Sequence, residues 1–94
     1  MSTARSSEGL DLRRRRLLFR AWHRGTREMD LIMGRFADAT LSDLSDADLD
    51  HYERLMDVPE PELYAWVTDA EPVPSEHDTD LFRRLCAFHR PDHA

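Results

Sequence analysis

The sequence predicts an all-α protein, a compact five-helix bundle forming a single domain. Three observations carry that expectation. Apolar residues recur at helical spacing almost throughout, and no segment alternates convincingly with period two. Gly, Pro and Ser/Asp clusters divide the chain into five such stretches with short connections. The chain has 94 residues, of which 40% are hydrophobic. That is enough for one modest core, since a domain of this size buries only about 60–65% of its unfolded surface.

The elements follow in order. The first helix is expected from about Leu10 to His23, with Leu10, Leu17, Leu18, Ala21 and Trp22 on one stripe. Gly25 interrupts it. The second is expected over about Thr26–Ala39, with Met29, Ile32, Met33, Phe36 and Ala37 at i, i+3, i+4, i+7 and i+8. Leu41–Leu44 reads as a loop. Ser45 reads as the N-cap of a third helix, with Asp46 and Asp48 in its favourable first turn and Leu49, Tyr52, Leu55 and Met56 facing inward. Pro59-Glu60-Pro61-Glu62 starts the fourth, because proline is tolerated where its missing N–H has no helical partner. Its apolar face is Leu63, Trp66, Val67 and Ala70. Glu71-Pro72-Val73-Pro74 makes an extended link. Ser75 or His77 opens the fifth helix, where Leu81, Phe82, Leu85, Cys86 and Phe88 face inward, and Pro91 closes it. Residues 1–9 read as a disordered N-terminal arm, 10–90 as the five-helix domain and 91–94 as a C-terminal tail.

Charge is divided unevenly along the chain. The formal net charge is −6, but residues 1–36 hold nine arginines against four acids, a net +5. The other 58 residues hold four arginines against fifteen acids, a net −11. A basic front on an acidic body can orient its approach to a partner. The acidic body argues against nucleic-acid binding, since most of the surface would repel phosphates. No apolar run approaches the roughly 20 residues needed to span a bilayer, so no membrane insertion is expected. The single cysteine excludes an internal disulfide. A reducing compartment, the bacterial cytoplasm, is the expected location.

Little in the sequence points to catalysis. There is no Gly-rich phosphate loop, no Ser–His–Asp-like set and no local Cys–His signature, so the chain is not expected to be an enzyme. His89 and His93 have i, i+4 metal-like spacing, but Pro91 lies between them and no metal site is expected. Cys86 reads as a buried, inert thiol. Asp46, Asp48 and Asp50 read as a solvated face, and so does the Arg13–Arg16 run. A helix-turn-helix reader of DNA fits poorly, because Glu28 and Asp30 stand where base-reading residues usually sit.

The segment Arg24-Gly25-Thr26-Arg27-Glu28 is different. Gly25, between two strongly periodic helices, marks a backbone angle that other residues resist. Thr26 can cap the following helix, and Glu28 in the first turn suits the helix dipole. Arg24 and Arg27 have no evident folding role.

These five residues resemble the Arg-Gly-x-x-Glu motif of the succinate dehydrogenase assembly factors, called SdhE in bacteria. Arg16-Leu17-Leu18-Phe19 is similar to the family's basic-apolar lead-in. Met29-Asp30-Leu31-Ile32-Met33 and Phe36-Ala37 are similar to its second helix, and Tyr52-Glu53-Arg54-Leu55-Met56 and Leu63-Tyr64-Ala65-Trp66 to its third and fourth. The Pro72–Pro74 link resembles one in mitochondrial members. The resemblance covers about residues 13–90.

What the resemblance implies is a chaperone, an FAD assembly factor that binds the flavoprotein subunit of succinate dehydrogenase, or of related fumarate reductases. Such a factor promotes covalent attachment of FAD to a client histidine. It implies a client-binding set of Arg16, Arg24, Gly25, Thr26, Arg27, Glu28 and Asp30. No cofactor would be held stably by this chain itself; the FAD acted on is the client's. The alternative from another class is a small helical regulatory or interaction protein, antitoxin-like or a transcriptional adaptor, with no flavin role.

Overall fold

The computed structural model describes residues 10–90. The arm and the tail expected at 1–9 and 91–94, with Pro91 and His93, lie outside the described residues. Within them run five α-helices: α1 Leu12–Trp22, α2 Arg27–Thr40, α3 Asp46–Met56, α4 Glu60–Val67 and α5 Asp80–His89. None is long and apolar enough to cross a membrane.

Local chemistry sets most of the starts. The side chains of Asp11, Thr26, Ser45 and Thr79 each accept from a backbone N–H in the first turn of α1, α2, α3 and α5. Each satisfies a donor that has no partner within the helix. Proline starts α4, with Pro59 at its N-cap and Pro61 in the first turn.

Several boundaries differ from expectation. Leu41–Asp43 is a 3₁₀ turn rather than an open loop, with Leu41 and Leu44 both buried. The fifth helix begins at Asp80, because Thr79 is the cap; Ser75–His77 forms a separate 3₁₀ turn before it. Ala70 is exposed, since α4 stops at Val67. Phe88 is also exposed rather than inward, although its ring makes a T-shaped contact with Phe36 at 5.7 Å between ring centroids.

The core forms where the five stripes meet. Leu17, Leu18 and Ala21 of α1 pack with Met29, Ile32, Met33, Phe36 and Ala37 of α2. Leu49, Tyr52, Leu55, Leu63, Val67, Leu81, Phe82 and Leu85 complete it. Each large apolar side chain so buried contributes about 1.5–3 kcal/mol. The buried Tyr52 donates its hydroxyl to the Met33 carbonyl at 2.8 Å. The α1–α2 hairpin is the most extensive helix pair. Its closeness depends on Gly34, where an added β-carbon would lie 2.3 Å from Trp22 Cδ2.

The arginine run of α1 is only partly a solvated face. Arg13 bonds Glu53 at 2.8 Å and Asp50 at 2.5 Å on α3. Arg14 donates to the carbonyls of Leu41 and Leu44 at 2.9 and 2.6 Å. These two tie α1 to α3 and to the α2–α3 connection, while Arg15 and Arg16 remain exposed. Of the three expected solvated aspartates, Asp48 and Asp50 are paired across helices, with Arg84 and Arg13.

Candidate functional site

The α1–α2 turn is built from both sides. Gly25 adopts φ +119°, a backbone region that L side chains rarely enter. The Asp30 carboxylate, one turn into α2, reaches back to the turn. It accepts the backbone N–H of Arg24 at 2.5 Å and that of Gly25 at 3.3 Å. Thr26 accepts from Met29 N–H at 3.3 Å. Three short-range bonds therefore fix the chain where it reverses.

Arg24 has a folding role that local spacing does not reveal. Its side chain turns inward across the bundle. Nη1 donates to the Met56 carbonyl at 2.5 Å, and Nη2 donates to the Val58 carbonyl at 3.2 Å. Both acceptors lie at the C-terminal end of α3, where carbonyls lack helical partners and a cation meets the negative end of the helix dipole. The guanidinium thus joins the turn to the α3–α4 junction.

Arg27 and Glu28 do the opposite. Both are exposed in the first turn of α2, and neither side chain is paired with another described residue. They project from a backbone that Asp30 and Thr26 hold rigid. Arg16 is exposed too, but it stands on α1 six residues before that helix ends, about 9 Å along the axis. The structure brings Arg24, Gly25, Thr26 and Asp30 into one hydrogen-bonded corner, sets Arg27 and Glu28 on its rim, and leaves Arg16 apart.

Shallow grooves flank this corner. One, bordered by Trp22, Gly25, Arg27 and Leu31, opens toward α1. A second lies between Glu28 and the start of α4, bordered by Glu60, Pro61 and Tyr64. A β-carbon on Gly25 would lie 3.5 Å from Glu60 Oε1, so this acid sits directly against the turn. A third groove of about 650 Å³ continues along α2 past Glu28 and Arg35, between Tyr64 and Phe88.

Away from this corner the structure holds a polar cluster that no sequence motif marks. His51 and His77, both buried, stack with His51 Nε2 3.2 Å from His77 Nδ1. The Thr79 hydroxyl lies 2.6 Å from His51 Nδ1, while its oxygen accepts from Phe82 N–H. Burial holds the His51 imidazole below its ordinary pKa, aided by the Arg54 charge and by His77. Cys86 is half-buried, and burial pushes its thiol up, in keeping with an inert side chain.

Known proteins match the chain over most of its length. The family described as flavinator of succinate dehydrogenase matches residues 15–89, which include the whole turn. The chain is 39% identical over 80 residues to the FAD assembly factor SdhE of Acetobacter pasteurianus, covering 85% of this chain and 73% of that protein. It is 37% identical over 85 residues to the mitochondrial succinate dehydrogenase assembly factor 2 of Scheffersomyces stipitis, covering 86% and 57%. The Danio rerio protein of the same name is 33% identical over 86 residues, covering 89% and 54%. The chain spans little more than half the length of these two mitochondrial relatives.

Proposed function

We propose, from the premise that this chain belongs to the succinate dehydrogenase flavinator family, that it is an FAD assembly factor acting through the Gly25 corner. In this reading the corner docks on the flavoprotein subunit of succinate dehydrogenase, and a fumarate reductase flavoprotein subunit is a second client of the same kind. The FAD and the residue that receives it belong to the client. This chain works as a chaperone in the bacterial cytoplasm and holds no flavin stably on its own.

One observation carries the reading. Arg27 and Glu28 are a cation and an acid with no side-chain partner among the described residues, on a turn whose backbone amides bond to Asp30. Glu28 suits the helix dipole, but neither side chain is used in a pair by the fold, and a docking partner would give both charges one. Gly25 adds a surface with no side chain, so another backbone can approach closely. Arg24 and Asp30 support the corner from inside, and Arg16, which stands apart on α1, would be a separate contact with the client. Holding reacting groups of the client in position supplies several kcal/mol of barrier lowering without any catalytic group here.

The test uses the two charges that hold nothing else in place. Arg27→Ala and Glu28→Ala are introduced into a strain lacking the wild-type protein, and covalent flavin fluorescence of the succinate dehydrogenase subunit is read on a denaturing gel. Fluorescence should fall sharply in both, while stabilities stay within about 0.5 kcal/mol of wild type, as for most exposed sites. Full fluorescence in the deletion strain itself would sink the assembly role and favour a regulatory protein without a flavin function.

A further inference from the structure

A corner of five residues is too small to bind a protein by itself. A stable interface takes about 800 Å² from each partner, some 20–30 residues. The contact must therefore extend over neighbouring surface, and the structure offers one concave apolar continuation. It is the groove of about 650 Å³ along α2, bordered by Glu28, Leu31, Arg35, Tyr64, Phe88 and His89. Glu28 borders both this groove and the one beside the turn, and so does Tyr64, so the two surfaces are continuous.

Its composition suits a protein segment. Tyr64 and Phe88 are 41% and 42% exposed, among the four large hydrophobics left exposed on the described residues. Aromatic side chains set in pockets are where binding energy concentrates. Glu28 and Arg35 stand on one face of α2, seven residues and about 10 Å apart. Neither is paired with another described residue. An apolar groove with an unpaired acid at one end and an unpaired base at the other has a direction.

Resting on the proposed function, we infer that this groove seats an amphipathic segment of the client flavoprotein subunit. That segment places apolar side chains between Tyr64 and Phe88, a carboxylate against Arg35 and a cation near Glu28. The groove sets where on the client the turn is applied, and the opposed charges set the orientation.

The experiment measures binding of the full chain to the purified flavoprotein subunit by biolayer interferometry. Wild type is compared with Glu28→Ala, Arg35→Glu, Tyr64→Ser and Phe88→Ser. Phe88→Ser disturbs the contact with Phe36, so Arg35→Glu and Tyr64→Ser, with melting curves unchanged, are the deciding variants. Each should weaken binding about tenfold or more, and added salt should erase much of the Arg35→Glu effect. If Glu28→Ala weakens binding while Arg35→Glu and Tyr64→Ser leave it unchanged, the groove proposal is overturned and the turn-based function stands. If wild type fails to bind, both fall. If the groove variants instead dissociate a homodimer and bind the client normally, a second copy is the occupant and the proposal is wrong.

Discussion

The six-membered ring of the Trp22 indole lies against Gly34, so close that a β-carbon there would fall 2.3 Å from Cδ2 and 2.5 Å from Cε2. Those atoms form the shared edge of the two indole rings, not a flexible tip. Trp22 ends α1 and Gly34 lies in mid-α2, so their contact sets how tightly the hairpin behind the Gly25 corner closes.

Gly34→Ala should therefore destabilise the protein, although alanine favours a helix by about 1 kcal/mol over glycine. Overpacking costs about 1–3 kcal/mol, and the opposing gain should leave a net loss of up to about 2 kcal/mol. Urea unfolding checks it. An unchanged or raised midpoint would mean that the indole can slide aside at little cost.

Arg24→Ala should lose about 1.5–3 kcal/mol, the usual range for hydrogen bonds made by a charged group. It leaves the Met56 and Val58 carbonyls without this donor. Arg24→Lys should recover only part, because one ammonium cannot span both acceptors as a planar guanidinium does. A midpoint for the lysine variant equal to wild type would show that charge at the end of α3, and not the fork, is what counts.

Asp30→Ala removes the acceptor for two turn amides and should cost roughly 1–2 kcal/mol. Its sharper signature is local. Amide hydrogen exchange at Arg24 and Gly25 should speed up well before exchange in the core of α2. Uniform acceleration would mean that Asp30 stabilises the bundle as a whole rather than the corner.

The His51 pair gives a pH dependence with a definite sign. Burial lowers the His51 pKa below its ordinary 6.5, so the unfolded chain binds more protons than the folded one just below that value. The stability conferred by the neutral imidazole is thus present above about pH 6.5 and lost as the pH falls toward the depressed folded value. His89, also lowered by burial, acts in the same direction. Asp11 and Glu53, bonded to Arg14 and Arg13, titrate below their ordinary carboxylate values, so their loss comes at lower pH and stays separate. Unfolding midpoints should fall for wild type between about pH 7.5 and 5, and fall less for His51→Gln. Parallel curves would remove the histidine from the explanation.

What is legible in the sequence is mostly what is decided within a few residues. Ser45 as a cap, proline at the start of α4 and the inward stripe of α2 need only local spacing, and each stands in the structure. Thr79 does not stand out as a cap, because Ser75 and His77 offer equally good starts nearby. The choice among them is made where the buried His77 meets His51, 26 residues away. Phe88 carries the right spacing to face inward, but it lies in the last turn of α5, at the edge of the bundle. In the candidate corner, Gly25 and the Thr26 cap are legible. The inward path of Arg24 is not, since both of its acceptors are more than thirty residues distant.

That inward path also decides whether the corner could be transplanted. A synthetic peptide spanning residues 16–36 would contain every residue of the motif, including Asp30, yet lack the carbonyls of Met56 and Val58 that receive the Arg24 guanidinium. Such a peptide could form the turn only fleetingly and would compete poorly with the whole chain. The proposed recognition element is short in sequence, but it is portable only together with the end of α3.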